Sequence, residues 1–379
     1  MRRKWMIGCI YLTLFSLGGY LSFYQSTLIQ AMDIFALNGA RMGAAVGAQS
    51  AGMMIAPLIL GGASGKIGKN KVILIAYGLM IAGAFTAGMA RGFLAFLCGG
   101  FLIGAGFAVL EATLSALLAD AFASRSVRHL NFSQATFSIG ALCGPILTAA
   151  VLERGVYFQC IYPVIAVSFF LLGTLFFLAQ RGSRAEEHVN ERITKQFAAF
   201  FRNRLLLLLA VAVGIYVGVE NASASFAEVY FHAEANRSAY SAAALSVFWG
   251  AMIPSRYLAG TLKLRVKAML SISCAITCTG LVAAMLMTDP LAKLTMFALC
   301  GFGCGPIWPL LMNRAARANR GSSGLVLNVM LSFCSLGGVL LPVLAGWISD
   351  RSGVSGVYYF CACATAAILL LYTRAERAR

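Results

Sequence analysis

Charge is what this sequence has least of. Only 11% of its 379 residues are Asp, Glu, Lys or Arg, against about 25% in ordinary soluble domains. Of these charged residues 13 are acidic and 30 basic; histidine occurs three times and proline eight times. So thin a charge complement excludes a solvated globule and a disordered chain, and so little proline excludes a collagenous fibre. The three histidines, His129, His188 and His232, fall in loops or at span ends, and no nucleophile–base pair or metal-ligand cluster can be assembled around them. No glycine-rich loop ending in Lys-Ser or Lys-Thr is present, and no polar segment is long enough to house a nucleotide-binding domain. Enzymatic activity, ATP-driven pumping, a bound metal and a cofactor are therefore not expected.

What fills the chain is apolar. Hydrophobic residues make up 60% and the mean hydropathy is +0.81. A membrane-crossing helix needs roughly 20 consecutive apolar residues, and twelve such stretches can be marked: 6–29, 42–62, 71–90, 93–120, 132–152, 157–180, 205–230, 239–260, 268–287, 292–312, 322–347 and 356–373. The expected class is an all-α membrane protein of twelve transmembrane helices.

Laying down these spans accounts for the net charge of +17. With the N-terminus inside, 24 of the 30 basic residues fall in cytoplasmic segments. The other six, Arg41, Arg91, Arg154, Arg237, Lys293 and Arg351, stand singly in outside loops. Basic residues concentrate on the cytoplasmic side of membrane proteins, so both termini are placed in the cytoplasm and no nucleic-acid partner is needed. The N-terminal Met-Arg-Arg-Lys is followed by an apolar run too long, and too poor in cleavage signals, for a secretory leader. The eleven cysteines all lie inside spans and read as small buried apolar residues.

An internal repeat organises the spans. Shifting the chain by 197 residues aligns Gly104 with Gly301, Gly106 with Gly303, Leu130-Asn131 with Leu327-Asn328, Ser138 with Ser335, Gly140 with Gly337 and Pro145 with Pro342. Asn and Pro are scarce enough here that their agreement in one register is informative. The chain is read as an N-terminal six-helix half, 1–180, a charged cytoplasmic linker, 181–204, and a C-terminal six-helix half, 205–379. Two such parallel repeats, with a substrate site near the midplane between them, describe major facilitator transporters.

Motifs point the same way. The segment Gly61-Gly-Ala-Ser-Gly65-Lys66-Ile-Gly68-Lys69-Asn-Lys71 resembles the loop signature of that superfamily, with Gly65 where an acid is usual. Gly140 to Pro145 is similar to its Gly-Pro motif. Gly104 to Ser115, Leu130-Asn131, Tyr216 to Glu220, Ser246 to Gly250 with Ser255-Arg256, and Gly305 to Pro309 resemble the glucose and fucose permease group, the fucose:proton symporters. The resemblance implies a proton and substrate role for Glu111, and a cytoplasmic gate built from Gly61, Lys66, Gly68, Lys69, Asp120 and Arg256. The aspartate that this group often carries in its first span is absent here.

The residues themselves single out ionisable groups that should not be in lipid. Glu111 and Glu220 lie inside spans 4 and 7 without a basic residue in their own helix. Such groups are costly and by default functional, and a desolvated carboxyl group suits proton exchange; a neutral glutamic acid hydrogen-bonded for packing is the bland reading. Helical spacing groups Glu111 with Ser115, Asn131 with Gln134 and Ser138, Tyr216 with Glu220 and Ser223, and Asn328 with Ser332 and Ser335. With Tyr20, Tyr24, Gln25, Asn221, Trp249 and Trp308 these make the candidate substrate cavity. Glu228 and Arg256, near span ends, are expected at the headgroups.

The functional expectation is a monomeric, multi-pass transporter of the cytoplasmic membrane, moving a small polar, sugar-like solute with protons. An efflux carrier for hydrophobic or amphipathic compounds and a non-transporting membrane sensor are the alternatives.

Overall fold

The computed structural model describes residues 2–121, 126–180, 200–235, 238–262, 264–318 and 323–377. Most of the expected linker, 181–199, lies outside them. The described residues form helices joined by turns as short as one residue. The first compact unit comprises residues 1–36 and 48–189, the second residues 37–47 and 190–379.

The first unit contains α1 (Arg2–Ser26), α2 (Leu28–Phe35), most of α3 (Gly39–Ile67), α4 (Lys69–Gly88), α5 (Phe93–Ala121), α6 (Ser126–Leu152) and α7 (Ile161–Gln180). The second contains α8 (Arg204–Ser225), α9 (Ala227–Ala235), α10 (Ser238–Thr261), α11 (Val266–Leu286), α12 (Pro290–Cys304), α13 (Ile307–Ala318) and α14 (Ser323–Arg377). Among the described residues nine helical stretches are long and apolar enough to cross a membrane. The last of them, Val329–Arg377, has 49 residues, twice what one crossing needs. Its two crossings are separated at Gly353, where φ is +74°. With α3 and α10 the set comes to the twelve spans read from the sequence.

Helix packing repeats between the units. In the first, α6 lies so close to α1 that a Cβ at Gly140 would collide with the Phe15 carbonyl; in the second, a Cβ at Gly337 of α14 would collide with the Gly214 carbonyl of α8. These glycines are equivalent under the 197-residue repeat. Lipid supplies no hydrophobic drive between helices, so van der Waals contact at small residues holds them. Pro145 and Pro342 both lie within continuous helices.

Spans 1 and 7 each carry a one-residue break in helical dihedrals, at Thr27 (φ −102°, ψ 1°) and Phe226 (φ −89°, ψ −3°), while the backbone hydrogen bonds run through it, from the Ala31 N–H to the Thr27 carbonyl and from the Tyr230 N–H to the Phe226 carbonyl. No Pro or Gly marks either break. In the first, the Ser26 hydroxyl donates to the Phe23 carbonyl and the Thr27 hydroxyl to the Phe23 and Tyr24 carbonyls, side-chain bonds that compete with the helical ladder. Span 10 is broken at Gly305-Pro306, where the missing proline N–H is a visible signal.

Within the second unit the first turn of α3 is capped from α14. The Asp350 carboxylate accepts hydrogen bonds from the Gly39 N–H (2.7 Å) and the Ala40 N–H (2.9 Å), while Asn38 Oδ1 accepts from the Arg41 N–H. These donors are among the four that any helix start leaves unpaired.

Candidate functional site

The second unit assembles three of the candidate residues from two elements. Tyr216 and Glu220 sit one turn apart on α8, so their side chains meet; the Tyr216 hydroxyl donates to Glu220 Oε1 at 3.0 Å. Arg256, on α10, brings its Nη2 to 3.8 Å from the same oxygen. The Glu220 side chain is 12% exposed and that of Arg256 28%. Arg256, placed near a span end by the sequence, directs its guanidinium to two oxygen acceptors of its own unit. One is Glu220. The other is the Gly305 carbonyl, to which Arg256 Nε donates at 3.3 Å.

That carbonyl is free for a covalent reason. In a helix the Gly305 oxygen would accept from the N–H four residues on, but residue 309 is proline and has none. Gly305 also permits the approach, since a Cβ there would collide with the Ser255 hydroxyl on α10. The Gly305-Pro-Ile-Trp-Pro309 motif is therefore a device for presenting a backbone acceptor to an arginine.

In the first unit α1 contributes an aromatic face. Tyr20 and Tyr24 are buried with ring centroids 6.2 Å apart, Tyr24 stacks on Phe96 at 5.9 Å, and Gln25 is buried beside them in sequence. The Tyr20 hydroxyl has no hydrogen-bond partner among the described residues. Glu111 and Ser115 lie half-buried one turn apart on α5.

The remaining candidates divide. Asn221 and Trp308 are half-buried. Trp249 is buried edge-on against Phe248, within an aromatic cluster continued by Phe297 and Tyr358, so packing occupies much of its ring. Of the loop motif, Gly68 is the turn itself, with φ +88° and ψ 143° before α4, and Lys69 opens that helix. The side chains of Lys66, Asp120, Asn131, Gln134 and Asn328, and the surroundings of Gly61, lie outside the described residues.

Two buried ionisable groups were not foreseen. Glu228 was expected at the headgroups but is 5% exposed. Lys293 was assigned to an outside loop but is buried in the first turn of α12, where its Nζ donates to the Tyr230 hydroxyl at 3.1 Å and lies 4.9 Å from the ring centroid. The legible signal was Asp289-Pro290: Asp289 caps the helix by accepting from the Ala292 N–H at 2.8 Å, so α12 begins before Lys293.

A helical membrane chain with an internal repeat and this packing matches a known family along its length. The model described as Major Facilitator Superfamily matches residues 5–324 and again 263–379. The chain belongs to the major facilitator superfamily. It is accordingly an integral membrane protein of a transporter family.

Solved major facilitator structures share the fold. A bacterial homologue of the human lysosomal transporter Spinster, inward-facing and occupied, matches with TM-score 0.78 and 11% identity, over 100% of this chain and 97% of that one. The nucleoside transporter NupG matches with TM-score 0.77 and 12% identity, over 99% and 100%. The fucose:proton symporter FucP of E. coli matches with TM-score 0.68 and 17% identity, over 97% and 98%. No curated protein matches the sequence.

Proposed function

We propose that this protein is a secondary active transporter that moves a small polar, sugar-like solute across the cytoplasmic membrane by alternating access, coupled to protons through Glu111 and Glu220. The observation that carries the reading is the Tyr216–Glu220–Arg256 cluster. A carboxylate in an apolar helix is held there by one neutral donor and one cation, and both depend on its charge. Proton uptake at Glu220 removes that charge, frees Arg256 from the carboxylate while it keeps the Gly305 carbonyl and the Met252 sulfur, and turns an acceptor into a donor. Such a change biases α8 against α10, the kind of local switch that a proton-driven cycle needs.

The polar solute is supported by the chemistry of the candidate cavity residues. Tyr20, Tyr24, Gln25, Ser115, Gln134, Asn221 and Asn328 offer hydroxyl and amide partners, while Trp308 and Trp249 offer aromatic faces for the C–H surface of a sugar ring. FucP and NupG are, by their descriptions, carriers of a sugar and of nucleosides, both of which present a hydroxylated ring. Gly61, Lys66, Gly68, Lys69, Asp120 and Arg256 are assigned to the cytoplasmic gate. The distribution of Lys and Arg supports cytoplasmic termini, and the protein is assigned as a monomer.

The test is a thermal-shift screen of the purified protein with sugars, nucleosides and lipophilic cations, repeated on Glu111→Gln and Glu220→Gln. A ligand that binds the folded state raises its melting temperature by mass action. Stabilisation by a hydroxylated compound, weakened in both variants, supports the reading and names the compound for proteoliposome uptake. Stabilisation by lipophilic cations alone overturns it in favour of efflux, and binding without flux in vesicles overturns it in favour of a sensor.

A further inference from the structure

The first unit carries a cavity that the proposed transport site does not use. It lies between α2 and the turn joining α6 to α7, has a volume of about 390 Å³, and is lined by Gln30, Asp33 and Ile34 on one side and by Gly155, Tyr157 and Phe158 on the other. The three α2 residues share one helix face, three and four positions apart, while Leu28 and Ala31 of the same helix are buried. Both walls are fixed to Phe96 of α5: the Phe35 ring at the end of α2 lies 5.6 Å from it and the Phe158 ring 6.1 Å. The turn is pinned again where the Gln159 amide donates to the Ala90 carbonyl at 2.7 Å. At Gly155 φ is +75°, a conformation that suits glycine, and a Cβ there would meet nothing within 4 Å. The space is thus walled by anchored elements and open at the turn.

Its chemistry is that of acceptors. Gln30 Oε1 is buried and accepts no hydrogen bond among the described residues. Asp33 is exposed at the rim, and the Tyr157 side chain, 70% exposed, offers an aromatic face. The lining contains no Lys, Arg or His, and Glu153 and Arg154, exposed on the adjoining turn, are of opposite sign. A buried oxygen left without a donor costs free energy, so the site calls for an N–H or O–H. The carboxylate favours a donor that is positively charged, and the face of an aromatic ring attracts the same charge. An anion is opposed by Asp33, and a neutral hydroxylated compound would satisfy Gln30 but draw nothing from that charge. A hard metal ion needs about six converging oxygens, more than Gln30, Asp33 and one phenol present. The volume falls in the range of small organic ligands, about 300–1,000 Å³.

We propose that this cavity binds a primary ammonium group, with Gln30 Oε1 accepting its N–H, Asp33 supplying the counter-charge and Tyr157 the aromatic face. The group comes from a soluble amine or from the headgroup of an aminophospholipid, for which the 45% exposed Ile34 gives the rim an apolar side. The assignment uses the first unit alone and does not depend on the transport reading.

The test is the melting temperature of the full chain in detergent, titrated with ethanolamine, with choline, with glucose and with sodium chloride. In a second arm, phosphatidylethanolamine or phosphatidylglycerol of the same acyl chains is added to the micelles. A binder of the folded state gives a saturable rise, expected with ethanolamine or phosphatidylethanolamine, smaller with choline, which has no N–H to donate, and absent with the rest. Asp33→Asn is expected to raise the half-saturating concentration roughly tenfold and Tyr157→Ala about two- to fivefold; both side chains are exposed, so neither change endangers the fold. Glu153→Gln, outside the lining, is expected to leave it unchanged. A rise with ethanolamine assigns a soluble amine, and a rise with phosphatidylethanolamine alone assigns the headgroup. A rise that Asp33→Asn leaves untouched overturns the proposal. So does a rise with glucose or sodium chloride equal to that with ethanolamine, or no rise with either amine source. Gradient-driven flux in vesicles, present or absent, bears on the transport reading and leaves this titration to decide the cavity.

Discussion

Glu220 accepts from Tyr216 and faces Arg256, so each substitution in the trio removes a different part of one interaction. Tyr216→Phe deletes a hydrogen bond to a charged group, worth about 1.5–3 kcal/mol, and is expected to weaken substrate binding or coupling by roughly 10- to 100-fold. Glu220→Gln keeps the shape and loses the charge. Gradient-driven uptake is expected to fall while exchange at equal pH survives, a split read by comparing the two assays in proteoliposomes. Arg256→Lys retains a cation but not the planar fork that lets Nε reach the Gly305 carbonyl while Nη2 reaches Glu220. It is expected to bind substrate more weakly than the unsubstituted protein, measured by the size of the thermal shift. The sequence grouped Tyr216 with Glu220 on one face of span 7 and marked Arg256 separately, in another motif. The approach of Arg256 to that pair was not legible, because the distance between α8 and α10 is set by helix packing rather than by spacing along the chain.

At the scale of elements, proline and glycine decide which backbone groups are available. Pro309→Ala supplies an N–H that can close the helical bond to the Gly305 carbonyl in competition with Arg256. The variant is expected to be as stable as the unsubstituted protein or more so, but altered in coupling, which a melting curve and an uptake assay together resolve. Gly337→Ala forces a Cβ against the Gly214 carbonyl between α14 and α8. Overpacking of this kind costs about 1–3 kcal/mol, so a lower melting temperature is expected. Asp350→Ala removes the cap from the start of α3, a loss of about 0.5–2 kcal/mol, checked by the same measurement. The breaks at Thr27 and Phe226 were illegible because hydropathy registers apolarity and not local dihedral angles, and neither residue is a helix breaker by type. The break at Gly305-Pro306 was available in the sequence. Its consequence, a carbonyl vacated by Pro309 and taken by Arg256, needed the partner helix.

For the whole molecule, number and order of spans follow from length and composition. A bilayer core of about 30 Å admits only helices that satisfy their own backbone and are roughly 20 residues long, so twelve apolar runs could become little else. The glycine, asparagine and proline spacing exposed the repeat for a related reason: close helix contact in lipid demands small residues at fixed positions, and both halves retained them. The sequence by itself therefore determined the helical class, the number of spans, their repeat and the family. Only the tertiary structure decided which charges are buried. Arg256 turns toward Glu220, Lys293 toward Tyr230, and Glu228 lies inside without a described partner, whereas all three looked like residues of span ends or loops. The physical reason is that hydropathy along a chain measures how well a segment tolerates lipid, while the environment of a single ionisable group depends on what the neighbouring helices place within a few ångströms of it.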